Sequence, residues 1–406
     1  MPIFTIYIMK NYKKFVIVDL IMSRCTKAYI YKENLRNNIL QIKSLLSENT
    51  KICLAVKADG YGHNAVLAAK IAQECGVSSL AIATVDEGIE LRKNGIELQL
   101  LLLSLCTPGE MDELFEYNIT PLVFSEEYIN CINEAAKKIK LKNKFEVHLA
   151  IDTGMGRIGC YPQEAGKQAR LIEDSGNLHL GGMATHFAIS DSLSSNAQKF
   201  TKQQYEAFCL AVENVKKEGI NPGICSCANS AAILNNPEMH FDMIRAGIIA
   251  YGYYPDEITR EYLKSKGKNI LLKPVMSFET EVVAIRRFPK GKTVSYGCTW
   301  KTSKETDIAV LPVGYADGLL RRFSPGLLVT INGKKYPVVG RICMDQCMVD
   351  IGKDNPDVKL WDKVLIFGPE ESGALTTADD LAKLGNTISY EVLTSLSKRV
   401  VRYIKE

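Results

Sequence analysis

A lysine that closes an apolar segment is the residue of this sequence whose surroundings point most clearly to chemistry. Residues 51–57 (KICLAVK) have the length of a strand, and Lys57 opens a glycine-containing stretch, residues 58–64 (ADGYGHN). A solvated surface lysine is the alternative, because most lysines are exposed. A buried strand before it and two glycines after it favour a Lys57 amine that faces a ligand, where it can form a Schiff base with a carbonyl group.

Two further apolar segments end in residues that suit an anionic substrate. Arg157 follows residues 145–152 in a glycine-containing stretch, and a guanidinium fork fits a carboxylate. His186 ends residues 178–186. The alternatives are a surface arginine paired with a glutamate and a histidine satisfied inside the core.

Small polar residues and an arginine follow the next two segments. Asn229 and Ser230 come after residues 223–228, and Arg245 closes residues 241–246 just before Gly247. Hydroxyl, amide and exposed backbone N–H groups are donors for phosphate oxygens. Lys57, Arg157, His186 and these residues together suit a phosphorylated cofactor and an acidic substrate.

The elements that must position these residues alternate regularly. Between residue 51 and about residue 252, eight short apolar segments are separated by helical patterns, which is typical of parallel strands buried on both faces. Eight such units in about 200 residues favour a closed (β/α)₈ barrel, the TIM barrel, over an open doubly wound sheet, and active sites lie at the carboxyl ends of barrel strands. The predicted strands are 51–57, 78–84, 98–104, 119–125, 145–152, 178–186, 223–228 and 241–246.

The pattern changes after about residue 274. Short β-like segments punctuated by glycine and proline predict a β-rich C-terminal domain, and residues 376–406 return to helix and then to a basic strand. The sequence therefore predicts an N-terminal extension (1–23), a barrel domain (24–265) and a C-terminal β domain (266–406). The predicted strands of the last domain are 276–286, 307–313, 327–331, 336–341 and 346–351.

Composition excludes several classes of function. The 406 residues carry 50 lysines and arginines against 46 acidic residues, a formal charge of +4 that is too small to indicate nucleic acid or a membrane surface as partner. The 12 cysteines have no paired spacing typical of zinc sites, so we expect reduced thiols and no metal. Residues 1–22 lack the pattern of a signal peptide, and no stretch of about 20 apolar residues occurs, so the cytoplasm is expected.

The stretch around Lys57 resembles a known signature. Residues 57–63 (KADGYGH) are similar to the pyridoxal phosphate-binding motif of alanine racemases. Eight further motifs match that family in the family's order, so the resemblance spans residues 25–400. They are 152–157 (DTGMGR), 185–186 (TH), 229–230 (NS), 245–248 (RAGI), 294–297 (VSYG), 312–318 (PVGYADG), 340–346 (GRICMDQ) and 388–392 (ISYEV).

The resemblance implies a pyridoxal 5'-phosphate cofactor in a barrel followed by a β domain. By it, Lys57 holds the cofactor covalently, Arg245 faces the pyridine nitrogen and His186 packs on or beside the ring. The residues implied to hold the phosphate are Tyr61, Asn229, Ser230, Gly247, Ile248 and Tyr390.

The resemblance also implies how an amino acid is bound and turned over. Arg157 and the backbone of Met344 take the carboxylate, Lys57 acts as one base, and Tyr296 acts as the second base from the other subunit of a homodimer. The activity implied is interconversion of L- and D-alanine, which supplies D-alanine for peptidoglycan. The residues implied to support the pocket and its entrance are Tyr315, Arg341, Cys343 and Asp345.

Two positions depart from the family pattern. Many members carry a lysine, often carbamylated, seven residues before the position of Arg157, and this chain has Ala150 there. We expect chloride or water to fill that gap. Many members have histidine where this chain has Ser226, so we expect Arg245 to be held differently.

Other activities remain open at this point. A serine or broad-specificity racemase is one, because a hydroxyl in a small pocket discriminates by only about 1–3 kcal/mol. A decarboxylase of the same architecture is another, although an acidic residue is expected there in place of Arg245. A non-catalytic pyridoxal phosphate carrier would resemble the barrel alone.

Overall fold

The computed structural model describes residues 24–405, so the predicted extension 1–23 lies outside the described residues. Its first sheet has eight parallel strands, and neighbours along the chain are neighbours in the sheet. The first strand also pairs with the last, with Lys51 opposite Met243. The strands, called barrel strands 1 to 8, are Lys51–Ala55, Ser79–Ile82, Gln99–Leu102, Ile119–Val123, Phe145–Ala150, Leu178–Ala184, Ile224–Ser226 and Met243–Ala246.

The eight strands form a nearly closed barrel. Strands 7 and 8 have no regular ladder between them, but the Arg245 N–H donates to the Ala228 carbonyl at 2.9 Å. Short strands such as Ser79–Ile82 are buried along their whole length, because helices cover the outside of the barrel. The predicted (β/α)₈ barrel followed by a β-rich domain is confirmed.

The helices of the barrel domain begin with local capping signals. Asn64, Ser125 and Ser194 each accept a hydrogen bond from a backbone N–H of the first helical turn, as N-cap residues do. Helices lie over Lys32–Lys43, Lys57–Tyr61, Ala65–Glu74, Val85–Lys93, Met111–Glu116, Glu126–Lys138, Ala165–Asp174, Ser195–Lys217, Ser230–Asn235 and Arg260–Ser265.

The second sheet is mostly antiparallel and has nine strands. Helices Ala378–Leu384 and Ser389–Thr394 precede its last strand, in agreement with the predicted return to helix, and a two-stranded ribbon joins Thr293–Val294 to Trp300–Lys301. In spatial order the nine strands are Ala284–Phe288, Thr306–Leu311, Cys347–Asp350, Lys334–Val339, Leu328–Ile331, Lys363–Phe367, Met276–Glu281, Lys27–Tyr31 and Val401–Lys405.

The structure corrects the placement of the first strand. The predicted barrel domain starts at residue 24, but Lys27–Tyr31 belongs to the second sheet, between Met276–Glu281 and Val401–Lys405. Thr26 helps to fix it there, since its hydroxyl lies 2.9 Å from the hydroxyl of Thr280. The barrel sheet itself therefore begins at Lys51. The boundary at residue 265 stays a prediction.

The two sheets are joined next to the Lys57 stretch. The Arg402 guanidinium, on the last strand, donates to the Gly62 carbonyl at 3.0 Å. Gly62 lies so close to the helix Ser389–Thr394 that a Cβ on it would be 2.4 Å from the Leu393 carbonyl oxygen. The C-terminal domain thus packs directly on the loop that carries Lys57. Among residues 24–405, no helix is long and apolar enough to cross a membrane.

Candidate active site

A cavity of about 300 Å³ opens at the carboxyl ends of the barrel strands. The structure brings eight of the predicted site residues together there, because parallel barrel strands all end at the same face. These residues are Lys57, Tyr61, His186, Asn229, Ser230, Arg245, Gly247 and Tyr390.

Lys57 begins an unusual turn. Ala58, Asp59, Gly60 and Tyr61 all have positive φ, between 52° and 62°, so the chain makes a turn of left-handed helix directly after the lysine. The turn carries the Lys57 side chain into the cavity, and burial lowers its pKa below the ordinary value. The positive charges of Arg157 and Arg245 act in the same direction, whereas the carboxylate of Glu87 opposes them. Lys57 therefore loses its proton more readily than an exposed lysine.

One wall of the cavity has a glycine beside two hydroxyl groups, an arrangement that suits a small anion. The Gly247 N–H donates to the Ser230 hydroxyl at 3.1 Å, and a Cβ on Gly247 would lie 2.9 Å from the Tyr61 hydroxyl oxygen. Tyr61 is held in place by Tyr251, whose ring stacks on it at 4.9 Å. A glycine is needed here so that hydroxyl and backbone groups can approach one ligand group together.

Three more predicted phosphate residues surround this wall. Asn229 caps the helix Ser230–Asn235 and accepts from the Ser190 hydroxyl at 2.9 Å, so its carbonyl oxygen is already engaged. The Ile248 side chain is fully buried, which leaves its backbone as the group available to a ligand. The Tyr390 ring lies 5.8 Å from that of Tyr61, and it comes from the C-terminal domain.

Arg245, which also lines the cavity, is fixed by four hydrogen bonds. It donates to the Ser226 hydroxyl at 2.6 Å, to the Thr185 carbonyl at 2.5 Å, to the Cys227 carbonyl at 3.4 Å and to His186 Nδ1 at 3.3 Å. Ser226 occupies the position where the family resemblance predicts histidine. Its hydroxyl accepts a hydrogen bond from the Arg245 guanidinium.

His186 is a neutral side chain in this site. Burial, together with the positive charges of Arg245, Arg157 and Lys57, lowers the pKa of its imidazole to about 3. A neutral imidazole whose Nδ1 accepts from Arg245 carries its proton on Nε2. His186 is thus suited to packing and hydrogen bonding and not to proton transfer near neutral pH.

Arg157 lies beside a second, smaller cavity behind His186. Its walls are largely apolar and include Ala150, Leu122 and Ala184. Because Ala150 offers only a methyl group, no acidic group reaches Arg157 from that position. The expected chloride or water in this gap stays a prediction.

The remaining predicted site residues form a separate cluster on the C-terminal domain. Tyr296, Cys343, Met344 and Asp345 line an open cavity of about 650 Å³. Tyr296 is 69% exposed and Met344 52% exposed, although both are large apolar side chains.

Backbone contacts hold this cluster together. The Ser295 hydroxyl donates to the Arg341 carbonyl at 2.6 Å, which places Arg341 under the turn that carries Tyr296. The N–H groups of Tyr315 and Ala316 donate to the carbonyls of Cys343 and Met344, both at 3.0 Å. Tyr315 is thereby tied to the Met344 loop.

The barrel cavity and the Tyr296 cavity share no lining residue. One chain therefore assembles the lysine half of the predicted site and, separately, an exposed tyrosine half. The structure does not bring Tyr296 to Lys57 within one chain. Among residues 24–405, no group of three or more histidine, cysteine or acidic side chains is arranged to hold a metal ion.

Two residues at this site were not predicted from the sequence. Asp191 lines the barrel cavity, and burial raises the pKa of its carboxyl. Tyr251 stacks on Tyr61 and donates to the Ala55 carbonyl at 2.8 Å. The position of Asp191, five residues past His186, was an available signal, whereas Tyr251 lies in a segment with no polar pattern.

Comparison with protein families gives two adjoining matches. The family model described as "Alanine racemase, N-terminal domain" matches residues 30–255, and that described as "Alanine racemase, C-terminal domain" matches residues 275–404. The chain is 50% identical over 381 residues to an alanine racemase of Treponema denticola, covering 93% of this chain and 98% of that protein.

Solved structures agree with these matches. An alanine racemase of Clostridium difficile superposes with a TM-score of 0.86 at 39% identity, covering 95% of this chain and 97% of that one. An alanine racemase of Bacillus anthracis with bound L-Ala-P gives a TM-score of 0.85 at 33% identity, covering 94% and 95%.

Proposed function

The chain belongs to the alanine racemase family, whose members are pyridoxal phosphate-dependent isomerases, and we propose that it interconverts L-alanine and D-alanine. The observation that carries the proposal is the barrel cavity. It is lined by a lysine of lowered pKa, by an arginine that donates to the Ser226 hydroxyl, and by Gly247, which leaves space beside the Tyr61 hydroxyl for a small anion. The exposed Tyr296 cluster supplies the second half of the site.

The residues present fit pyridoxal 5'-phosphate. Tyr61, Ser230 and Gly247 would hold the phosphate, since any side chain on Gly247 would fill the space between the two hydroxyls. Lys57 would hold the aldehyde carbon, and Arg245 would face the ring nitrogen. When bound, the cofactor supplies an electron-withdrawing ring that stabilises the negative charge left when a substrate Cα loses its proton.

Lys57 and Tyr296 would move the proton. Racemisation requires removal of the Cα proton on one face and its return on the other, so two bases on opposite faces are needed. The lowered pKa of Lys57 leaves more of its amine unprotonated than in an exposed lysine, so that it can take a proton. The Tyr296 hydroxyl would stand on the other face, and Arg157 with the Met344 backbone would hold the substrate carboxylate.

We propose that the Tyr296 half comes from a second copy of the chain. The two cavities of one chain are separate, and the exposure of Tyr296 and Met344 leaves both free to meet another barrel. A two-fold dimer would complete two such sites by the same contact used twice.

We place the activity in the cytoplasm as a source of D-alanine for peptidoglycan. All 12 cysteines are free thiols, which accords with a reducing compartment. In the assembled site, the large side chains of Tyr296 and Met344 would narrow the pocket to suit the methyl group of alanine, and serine is the alternative substrate.

A substrate panel tests the proposed function. Full-length protein loaded with pyridoxal phosphate is incubated with single L-amino acids, and D-amino acids and released carbon dioxide are measured. We expect D-alanine at the highest kcat/KM, slower D-serine and no carbon dioxide. Faster turnover of serine would assign a serine racemase, and carbon dioxide without a D-amino acid would assign a decarboxylase.

Substituting Gly247 with alanine is expected to weaken cofactor binding. A Cβ 2.9 Å from the Tyr61 hydroxyl crowds the phosphate wall, and overpacking of about 1–3 kcal/mol corresponds to a rise in Kd of about 5- to 160-fold. The Kd of pyridoxal phosphate is read from its absorbance. Gly109→Ala is the matched control, because a Cβ there meets nothing closer than 4.0 Å. Equal Kd values for the two variants would remove Gly247 from the phosphate site.

Substituting Arg245 with glutamate is expected to divert L-alanine to pyruvate, at one equivalent per site, because the amino group of alanine would pass to the bound pyridoxal phosphate. Arginine can only donate to the ring nitrogen, whereas a carboxylate accepts from a protonated nitrogen and lets the ring hold more negative charge. Pyruvate is followed with lactate dehydrogenase, and Arg245→Gln separates loss of the cation from gain of the carboxylate. If Arg245→Glu forms no more pyruvate than Arg245→Gln, the group that faces the ring nitrogen does not control this side reaction.

A further inference from the structure

The turn after Lys57 is held in a conformation that its residues rarely adopt. Ala58, Asp59 and Tyr61 are not glycines, yet all three have left-handed φ values of 52° to 53°. Such a conformation is unfavourable for residues with a Cβ and persists only where surrounding contacts impose it. The turn therefore needs partners, and those partners determine where Lys57 points.

Glu87 is such a partner, and its two oxygens contact two different barrel loops. One oxygen accepts from the N–H of Ala58, the residue after Lys57, at 2.7 Å. The other accepts from the N–H of Ala83, just past barrel strand 2, also at 2.7 Å. The carboxylate thus joins the ends of barrel strands 1 and 2 beside the cavity.

These contacts are not those of an ordinary helix cap. Thr84 and Glu87 form a capping box, but the Thr84 N–H is 3.4 Å from the carboxylate, farther than the N–H groups of Ala58 and Ala83. In the capping box of Thr107 and Glu110, the Glu110 carboxylate accepts from Thr107 alone, at 2.8 Å from both its N–H and its hydroxyl. The Glu87 carboxylate therefore lies closer to the N–H of Ala58, next to Lys57, than to the N–H of its own N-cap residue Thr84.

The charge of Glu87 also bears on Lys57. Three charged groups affect the lysine: Arg157 and Arg245 disfavour its ammonium form, and Glu87 favours it. Glu87 is the one anion among these three groups. Its removal leaves the lysine facing two cations without an opposing charge.

We propose that Glu87 is a positioning residue for Lys57: it imposes the left-handed turn through the Ala58 N–H and balances the positive charge around the amine. Its part in cofactor retention rests on the proposed function, in which Lys57 carries pyridoxal phosphate. Its effect on the free amine of Lys57 does not depend on the proposed function. The two parts can therefore be tested separately.

The first test titrates Lys57 without cofactor or substrate. Cofactor-free full-length protein is treated with trace acetic anhydride at a series of pH values, and acetylation of Lys57 is measured by mass spectrometry. In Glu87→Gln, loss of the anion disfavours the ammonium form, so the pKa falls and the midpoint of labelling moves to lower pH than in the unsubstituted chain. Glu110→Gln is the matched control, and we expect it to leave the midpoint unchanged.

The second test measures how well the cofactor is retained. The rate of pyridoxal phosphate loss is expected to rise at least about tenfold in Glu87→Gln, with kcat lowered more than KM is raised, and not in Glu110→Gln. If Glu87→Gln does not fold, Glu87→Asp replaces it, since it keeps the charge but is one methylene too short to reach Ala58. It too is expected to lose cofactor faster.

The outcomes separate the two proposals. An unchanged labelling midpoint together with unchanged cofactor retention would overturn the role of Glu87 and leave the racemase intact. Equal losses of Tm in Glu87→Gln and Glu110→Gln, with no other change, would show that Glu87 acts only as a helix cap. That result would also overturn its role in positioning Lys57. A shifted midpoint in a protein that racemises nothing would support the role of Glu87 while the proposed function fails.

Discussion

Replacing Lys57 with alanine is expected to lower racemisation of alanine by at least about a thousandfold in both directions. Lys57 is the one lysine among the described residues that lines the barrel cavity. Its removal takes away both the covalent anchor of the cofactor and one of the two bases. Turnover is measured by chiral chromatography with saturating pyridoxal phosphate, and cofactor absorbance is recorded on the same samples.

A second lysine on the same strand provides the control. Lys51 lies at the opposite end of the strand Lys51–Ala55 and is exposed. Lys51→Ala is therefore expected to keep both activity and cofactor absorbance. Residual activity of Lys57→Ala within tenfold of the Lys51→Ala value would show that Lys57 is neither base nor anchor.

Replacing Tyr296 with phenylalanine is expected to lower kcat by about 10²- to 10⁴-fold while cofactor binding is kept. The substitution removes only the phenolic oxygen, and Tyr296 lies outside the barrel cavity that would hold the cofactor. Tyr161→Phe is the matched control, because Tyr161 is 66% exposed and Tyr296 is 69% exposed. A Tyr296→Phe chain as active as Tyr161→Phe would exclude the phenol from proton transfer.

Mixing the two inactive chains tests whether the site is shared. In a dimer of one Lys57→Ala chain and one Tyr296→Phe chain, one site carries both substitutions and the other carries neither. Such heterodimers, isolated by two different affinity tags, are expected to show about half of the activity of the unsubstituted dimer. Inactive heterodimers of verified composition would instead place Lys57 and Tyr296 of a single chain in one site.

The barrel and the lysine half of the site follow from the sequence because their signals are local. Buried parallel strands are apolar along most of their length, and the chemistry-bearing residues lie at their carboxyl ends or just after them, as Arg245 and Lys57 do. Seven of the eight barrel strands end two residues earlier than predicted, as at Ala55. The resemblance to alanine racemases added roles for residues such as Tyr296 that no local pattern marks.

Other features depend on contacts between distant parts of the chain. Lys27–Tyr31 pairs with strands that lie about 250 and 370 residues later, so its own sequence could not assign it to the second sheet. Glu87 fits a capping box, and that local role conceals its contact with Ala58. The left-handed conformation of Ala58 has no sequence signal, because alanine disfavours it intrinsically.

Ser226 departs from the family pattern, and the sequence predicts only part of the consequence. The sequence predicts that Arg245 is held differently when serine replaces histidine. It does not predict how, since a serine hydroxyl is shorter than an imidazole. The structure shows the hydroxyl 2.6 Å from the guanidinium, whose other acceptors are the backbone carbonyls of Thr185 and Cys227 and Nδ1 of His186.

Racemisation of L-alanine in heavy water tests the two-base account most directly. The D-alanine formed at early times is examined by NMR and chiral chromatography for deuterium at Cα. Because one base removes the proton and the other returns a solvent deuteron, we predict that D-alanine is deuterated while the remaining L-alanine still carries mostly protium. D-alanine that retains its original proton would contradict the two-base mechanism, and the absence of both D-alanine and exchange would contradict the proposed activity itself.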